Sequence, residues 1–383
     1  MGAETNRRRA GASQSDFARL CFCRRDTSDC NCGRRHCRLS GPRGQSCDRT
    51  LRLRWNRRGV RRRSRRPAKR KSLWMNRVSE EKSIRALLKW GIGQLREAHV
   101  PSYTLAAELL LLHVLGRDRT WIYSHPEEEL SAADAGRYSA LLRRRADGEP
   151  TQHLTGKQEF WGFEFEVTPD VLIPRPETEH VVEVALDRLA VREIRAGRRQ
   201  WLAGEGLRIA DVGTGSGCIA VALAKELPAA TLVATDISPA ALAIARRNAQ
   251  RHTVATRVHF VECNRLEGLL NPPLATRHSP LLFDLIVSNP PYIGRREAGT
   301  LMREVREYEP EVALYGGEKG YEFYAGLIAQ AAMHLKPGGI LVVELGQDSL
   351  PAVQPLLEAS NWTNIGVTND LAGVPRVLAA ERL

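Results

Sequence analysis

Apolar positions fall into two regimes along the chain. From Ser79 to about Val100, Ile84, Leu87, Leu88, Ile92 and Leu95 recur at three- and four-residue spacing, which predicts an amphipathic helix. Pro101 is placed for a helix start, and Leu105, Leu109, Leu112 and Leu115 mark the stripe of a second helix. A third is expected over roughly Ser131 to Ala146, so that residues 75–150 read as a helical domain. The pattern then changes. Phe160-Trp161-Gly162-Phe163-Glu164-Phe165-Glu166-Val167 alternates as a strand or hairpin does. It leads into Leu172-Ile173-Pro174-Arg175-Pro176, where paired prolines enforce an extended chain, and residues 151–180 read as hairpin and linker.

Over 181–383, after a helix that follows Glu177, short apolar runs alternate with helical periods. Strands are predicted at 207–212, 230–235, 257–262, 282–288, 339–345, 364–369 and 375–380, and helices near 217–227, 238–250, 319–335 and 349–359. Such alternation implies an α/β domain with a largely parallel sheet covered on both faces. Short linkers between the last strands predict an antiparallel hairpin at the C-terminal edge. The stretch 264–281, with Pro272, Pro273 and Pro280, reads as a loop.

Composition adds limits. A chain of 383 residues, 43% hydrophobic, is about two domains' worth with a sizeable core. Its longest strongly apolar stretch, Leu105 to Leu115, is broken by Glu108 and His113 and falls short of the ~20 residues a bilayer span needs. The net charge of +13 is not spread evenly. Residues 1–74 hold 23 basic and 5 acidic side chains, a net +18, while the remainder holds 34 and 39, a net −5. The overall basicity therefore says nothing about a nucleic-acid surface on the body.

Residues 1–74 read as a disordered basic leader, rich in Arg and poor in large aliphatics. Six of the eight cysteines lie in it (Cys21, Cys23, Cys30, Cys32, Cys37 and Cys47), in spacings that match no usual zinc pattern. The favoured reading is translated upstream sequence with the true start at Met75; the alternative is an organelle transit peptide, which would place the protein in the mitochondrion. The isolated Cys218 and Cys263 of the body make no disulfide framework, so a cytoplasmic protein is expected.

Two motifs carry the chemistry. Asp211-Val212-Gly213-Thr214-Gly215-Ser216-Gly217 ends the first sheet strand and opens a helix. Its glycines allow a sharp turn and close approach to a ligand, while the helix N-terminus offers free N–H groups. The third glycine comes one residue too early for the pyrophosphate fingerprint G-x-G-x-x-G. Asp236 ends the next strand, where a carboxylate can accept from both ribose hydroxyls of a nucleoside cofactor. The second motif, Asn289-Pro290-Pro291-Tyr292, follows Phe283-Asp284-Leu285-Ile286-Val287-Ser288 at the strand end that faces the ligand crevice.

At these residues the sequence resembles S-adenosylmethionine-dependent methyltransferases that act on planar nitrogen, either adenine N6 or glutamine amide N5. Such a nitrogen is a poor nucleophile because its lone pair is delocalised. Asn289 can accept one hydrogen bond from the NH2 and the Pro290 carbonyl the second. Both bonds strengthen as positive charge develops on nitrogen. The prolines fix the carbonyl, Tyr292 offers a face for stacking, and no metal is needed.

The resemblance narrows with Phe160-Trp161-Gly162 and Leu172-Ile173-Pro174-Arg175-Pro176-Glu177-Thr178-Glu179. With Val287 to Ile293, Tyr308-Glu309-Pro310, Leu335-Lys336-Pro337-Gly338-Gly339, Val343-Glu344-Leu345-Gly346 and Asp370-Leu371-Ala372-Gly373, these make residues 80–383 similar to the peptide chain release factor glutamine methyltransferases. The resemblance implies a Rossmann-like class I methyltransferase with a seven-stranded sheet over 181–383, behind a helical bundle that docks the partner. It implies that Asn289, Pro290, Pro291 and Tyr292 bind the glutamine of a release factor's GGQ loop, with Asn289, Pro290 and Tyr292 catalytic. Gly213, Thr214, Gly215, Ser216, Gly217, Asp236, Asn264 and Asn289 would bind S-adenosylmethionine. One departure stands out. Where the family carries an acidic residue and then a large apolar one near the adenine, this chain has Asn264 and Arg265. Asn264 can still accept from the adenine amino group, whereas Arg265 would have to stack by its guanidinium plane. Arg175 and Glu177 would either shape the substrate pocket or form a local ion pair.

Rival functions share some of these motifs. A DNA adenine-N6 methyltransferase would need a basic target-recognition region that the −5 body lacks, so nucleic acid is not required by the folded body. Glutamine methylation of a ribosomal protein would use the same residues. A non-catalytic nucleic-acid-binding protein would depend on the leader alone.

Overall fold

The computed structural model describes residues 83–197, 203–269, 281–358 and 361–383. The expected disorder of 1–74, the helix start at Ser79 and most of the expected loop 264–281 lie outside the described residues.

Five helices open the described chain: α1 (Ile84–Glu97), α2 (Tyr103–Leu115), α3 (Arg119–Ser124), α4 (Ala132–Ala146) and α5 (Thr151–Thr155). Side-chain caps set three of the starts. Ser83 accepts from Ala86 N at 3.3 Å, Asp118 from Trp121 N at 2.7 Å and Ser131 from Asp134 N at 3.1 Å. The second helix begins two residues after Pro101, at Tyr103, and Gly116 ends it in the left-handed conformation. Its buried face differs from the expected stripe. Ala106, Ala107, Leu110, Leu111 and Val114 are buried, whereas Leu105 and Leu109 are 49% and 37% exposed. This helix is apolar on every side, so the spacing of its leucines does not select a face. Helices α3 and α5 are too short to show a period and were not predicted.

The alternating stretch is a hairpin, β1 (Lys157–Phe160) against β2 (Phe163–Glu166). Trp161 and Gly162 both have positive φ, 53° and 72°, as a tight two-residue hairpin turn requires. The extended 172–176 segment then enters a 3-10 turn, Pro176–Thr178, and α6 (Glu179–Arg195).

The main sheet follows the predicted alternation: β3 (Arg208–Val212), α7 (Cys218–Glu226), β4 (Thr231–Asp236), α8 (Pro239–Arg251), β5 (Val258–Glu262) and β6 (Phe283–Ser288). After an excursion through β7 (Ile293–Gly294), α9 (Arg303–Tyr308), α10 (Glu311–Leu314) and β8 (Tyr315–Gly317), it continues with α11 (Glu322–His334), β9 (Leu335–Glu344), α12 (Leu350–Glu358), β10 (Trp362–Asn369) and β11 (Pro375–Arg382). The strand order is β10-β11-β9-β6-β3-β4-β5, with β11 antiparallel to both its neighbours and the rest parallel. This is an open, mostly parallel α/β sheet of seven strands, as the resemblance implied, with the expected antiparallel hairpin at its edge.

Side chains alternate between two cores, as the strand period of two dictates. Leu285 and Val287 join α6 and α7 on one face; Ile286, with Leu341 and Val343 of β9, joins α11 and α12 on the other. The chain steps outward from β3 through β4 to β5, then returns to place β6 on the opposite side of β3. The order therefore reverses between β3 and β6. In open α/β sheets a ligand crevice forms at such a point, beyond the carboxyl ends of the strands. Both motifs lie there.

Candidate active site

At the end of β3 the chain turns through Gly213 and Gly215, whose φ values of 71° and 54° favour residues without a Cβ. Gly213 N and Thr214 N both donate to Thr235 O, at 2.8 and 2.9 Å, tying the loop to β4. Asp236 closes that strand and is the hub of the loop. Its Oδ2 accepts from Gly215 N and its Oδ1 from Ser238 N, each at 2.9 Å. Burial pushes this carboxyl up, and the two N–H groups hold it back. Each oxygen has taken one donor and can take more.

A cavity of about 510 Å³ opens over the loop, lined by Gly213, Gly215, Asp236, Asn264, Arg265 and Asn289 among others. Thr214, Ser216 and Gly217 are not among its lining residues. The Thr214 hydroxyl instead donates to Asp211 Oδ2 at 2.6 Å, which also accepts from Ala220 N at 3.1 Å. Asp211 is fully buried and burial pushes it up to about 7, with Oδ1 unpartnered among the described residues. Sequence reasoning quoted this aspartate only as part of the loop.

At the far end of the cavity, Asn264 Nδ2 donates to Glu267 Oε1 at 3.0 Å, leaving its Oδ1 to accept. The guanidinium carbon of Arg265 lies 4.4 Å from the centre of the Phe323 ring, and the guanidinium packs against Gly326. Phe323 lines the same cavity.

A second cavity, of about 370 Å³, lies beside the first and is lined by Gln152, Arg175, Pro290, Tyr292, Glu304 and Glu309 among others. Leu172, Asn289 and Ala313 line both, so Asn289 stands where the two meet. Pro290 and Tyr292 face the smaller cavity and Pro291 the larger. The Tyr292 ring is partly buried against Gly346, where an added Cβ would lie 2.7 Å from it.

Arg175 both lines the cavity and forms an ion pair, and the pair is not local. It joins Glu309, which is buried and also accepts from Ile173 N at 3.2 Å. Glu309 is pushed up by burial, against the pull of Arg175. This fixes the 172–176 segment to the excursion that follows β6. Arg145 of α4 forms a second buried ion pair with Glu304 of α9, joining the helical bundle to the same excursion.

Asn289 itself is held from behind. Its Nδ2 donates to Thr178 Oγ1 at 3.0 Å, while its Oδ1 is buried with no partner among the described residues. Behind Thr178 lies Glu344, 1% exposed at the end of β9. Burial pushes Glu344 up to about 7, and the nearby Thr178 hydroxyl, the charge of Arg376 and the Tyr292 hydroxyl oppose the rise, while its Oε2 is buried with no hydrogen-bond partner among the described residues. Sequence reasoning assigned no role to Thr178 or Glu344. A signal was present: Glu344 continues the apolar run Ile340-Leu341-Val342-Val343, where a carboxyl is costly to bury.

Comparison with known proteins gives a consistent picture. A family model described as the PrmC N-terminal domain matches residues 86–156, and one described as the methyltransferase small domain matches residues 200–306. The chain is 44% identical over 291 residues to the release factor glutamine methyltransferase of Koribacter versatilis, covering 76% of this chain and 95% of that protein. It is 41% identical over 296 residues to that of Geobacter sulfurreducens, covering 77% and 95%. Against that of Chlorobaculum tepidum it is 41% identical over 304 residues, covering 79% and 99%.

Proposed function

The chain belongs to the release factor glutamine methyltransferase family, and on that premise we propose that it methylates the side-chain amide N5 of the glutamine in a release factor's GGQ loop. It is an S-adenosylmethionine-dependent protein-glutamine N-methyltransferase. The observation that carries the site assignment is the buried, unpartnered Oδ1 of Asn289 at the junction of the two cavities. An unsatisfied buried acceptor is costly, and a substrate NH2 is the donor that would satisfy it.

S-adenosylmethionine fits the larger cavity by its donor set. Asp236 keeps acceptor capacity for two ribose hydroxyls, Asn264 Oδ1 is free to accept from the adenine amino group, and Gly213 and Gly215 leave room for close backbone approach. When bound, the cofactor supplies a methyl group made electrophilic by its sulfonium. The chain's own residues supply the rest. Asn289 Oδ1 and the Pro290 carbonyl each accept one N–H of the glutamine amide, holding its nitrogen toward the larger cavity. These acceptors are fixed in advance, so they favour positive charge on nitrogen without reorganising. So held, the amide nitrogen would be aimed at the methyl group that the bound cofactor would supply, with the sulfonium sulfur as leaving group, and one N–H proton would then pass to water.

The helical bundle, with Leu105 and Leu109 exposed on α2, is the surface we assign to the body of the release factor. On this reading the protein acts in the cytoplasm, where release factors work. Among the described residues no helix is long and apolar enough to cross a membrane. Incubation with purified release factor and S-adenosylmethionine, followed by mass measurement of the GGQ peptide, tests the proposal. One added methyl on the glutamine is expected. Methyl incorporation into DNA or a ribosomal protein, with none into release factor, would overturn it.

A further inference from the structure

The methyl acceptor needs an oxygen from Asn289 rather than an NH2, yet a carboxamide has both and can turn end for end. Thr178 Oγ1 faces the Nδ2 end at 3.0 Å. A hydroxyl has one proton, so whether it accepts from Asn289 or donates to it depends on where that proton goes. Thr178 is 2% exposed in the 3-10 turn before α6, and its other neighbour is the Glu344 carboxyl. The Tyr292 hydroxyl lies near the same carboxyl, whose buried Oε2 has no hydrogen-bond partner among the described residues.

We infer that Thr178 and Glu344 are positioning residues that set the polarity of the Asn289 carboxamide: ionised Glu344 draws the Thr178 proton, Thr178 Oγ1 then only accepts, and Asn289 must present Oδ1 to the substrate. This rests on the reading that Asn289 Oδ1 accepts from the glutamine amide. Three segments far apart in sequence meet to make the relay. Register brings the last two together: Ser288 of β6 pairs with Val343 of β9, so Asn289 and Glu344 leave adjacent strands side by side.

Protonated Glu344 can donate to Thr178 instead. The Thr178 proton is then free for the asparagine oxygen, and the reversed carboxamide would present its NH2 to the substrate NH2. Two donors face to face leave the site unproductive, so turnover requires ionised Glu344 and falls as pH drops through about 7. The groups facing Glu344 come from every side. Arg376 of β11 favours its ionised form, as do the Thr178 and Tyr292 hydroxyls, and Glu177 opposes it. The Tyr324 phenol of α11 and the Cys218 thiol of α7 are both held neutral by burial.

The test measures kcat at saturating S-adenosylmethionine across roughly pH 5.5–9, on both sides of the value of about 7 to which burial pushes Glu344, with cofactor affinity measured separately by calorimetry. The separate measurement matters because burial also pushes Asp211, behind the glycine loop, up to about 7. Thr178→Val is expected to lower kcat about 10- to 100-fold, the cost of a mispaired buried group, with cofactor affinity kept. Thr178→Ser is expected to recover about tenfold or more of that loss. Glu344→Gln, which both donates and accepts, is expected to lower kcat and abolish the acid limb. Thr178→Val with wild-type kcat, Thr178→Ser no better than Thr178→Val, or Glu344→Gln keeping the acid limb would each overturn the relay. Asn289→Ala separates the two readings. If it is inactive while Thr178→Val is not impaired, only the relay fails; if Asn289→Ala is fully active, the site assignment itself fails.

Discussion

The two halves of the site are built in different ways. The cofactor cradle is local. Gly215 N reaches Asp236 Oδ2 across one strand–helix–strand unit, and Ser238 N reaches Asp236 Oδ1 from two residues away. The substrate clasp is assembled from afar: Thr178 holds Asn289 across 111 residues, Arg175 holds Glu309 across 134, and Arg145 holds Glu304 across 159. A cradle made of neighbours is fixed as soon as its supersecondary unit folds. A clasp made of distant segments depends on the whole domain, and every one of its ties is a polar group buried on one side or both. The cradle is therefore expected to tolerate distant changes better than the clasp does.

The largest expected effect breaks the clasp at its centre. Asn289→Ala removes the acceptor and is expected to lower turnover by roughly 10²-fold or more, with little change in S-adenosylmethionine affinity measured by calorimetry. Next comes the cradle. Asp236→Ala removes the carboxylate that organises the loop and is expected to weaken cofactor affinity by roughly 10- to 100-fold, while release factor binding is kept. These two variants should sort cleanly between the halves, and a variant that damaged both equally would blur the comparison.

Smaller effects sharpen it. Arg175→Ala strips the cation from buried Glu309 and is expected to cost about 1–2 kcal/mol of stability, less than a fully buried pair because Arg175 is itself partly exposed. The same variant should raise KM for release factor, since Arg175 lines the smaller cavity. Gly217→Ala acts on the cradle from behind. At φ +82° a Cβ would lie 3.0 Å from Ala245 Cβ on α8, and a loss of about 1–2 kcal/mol is expected in a thermal melt.

The same contrast explains what could be read from the sequence. The central sheet strands carry short apolar runs and lie close to where those runs predict; Phe283 to Val287 of β6, for example, are buried throughout. The cradle was legible because its residues are neighbours and its glycines punctuate the turn. The inner face of α2 was not, because its leucines surround the helix. Helices α9 and α10 are too short for a period to show, so the excursion that walls the smaller cavity went unpredicted. Thr178 and Glu344 went unassigned because nothing in a linear sequence says which hydroxyl stands behind which amide. The ion pair of Arg175 was half legible: its partner is Glu309, where a sequence reader looks first to Glu177.

The most direct test of the account is a crystal structure of the protein with a release factor and S-adenosylhomocysteine. The account predicts the glutamine N5 at hydrogen-bond distance, about 3 Å, from Asn289 Oδ1, with Asn289 Nδ2 still on Thr178. A glutamine that reaches neither Asn289 nor the Pro290 carbonyl, or one that meets the asparagine only at its nitrogen, would contradict it.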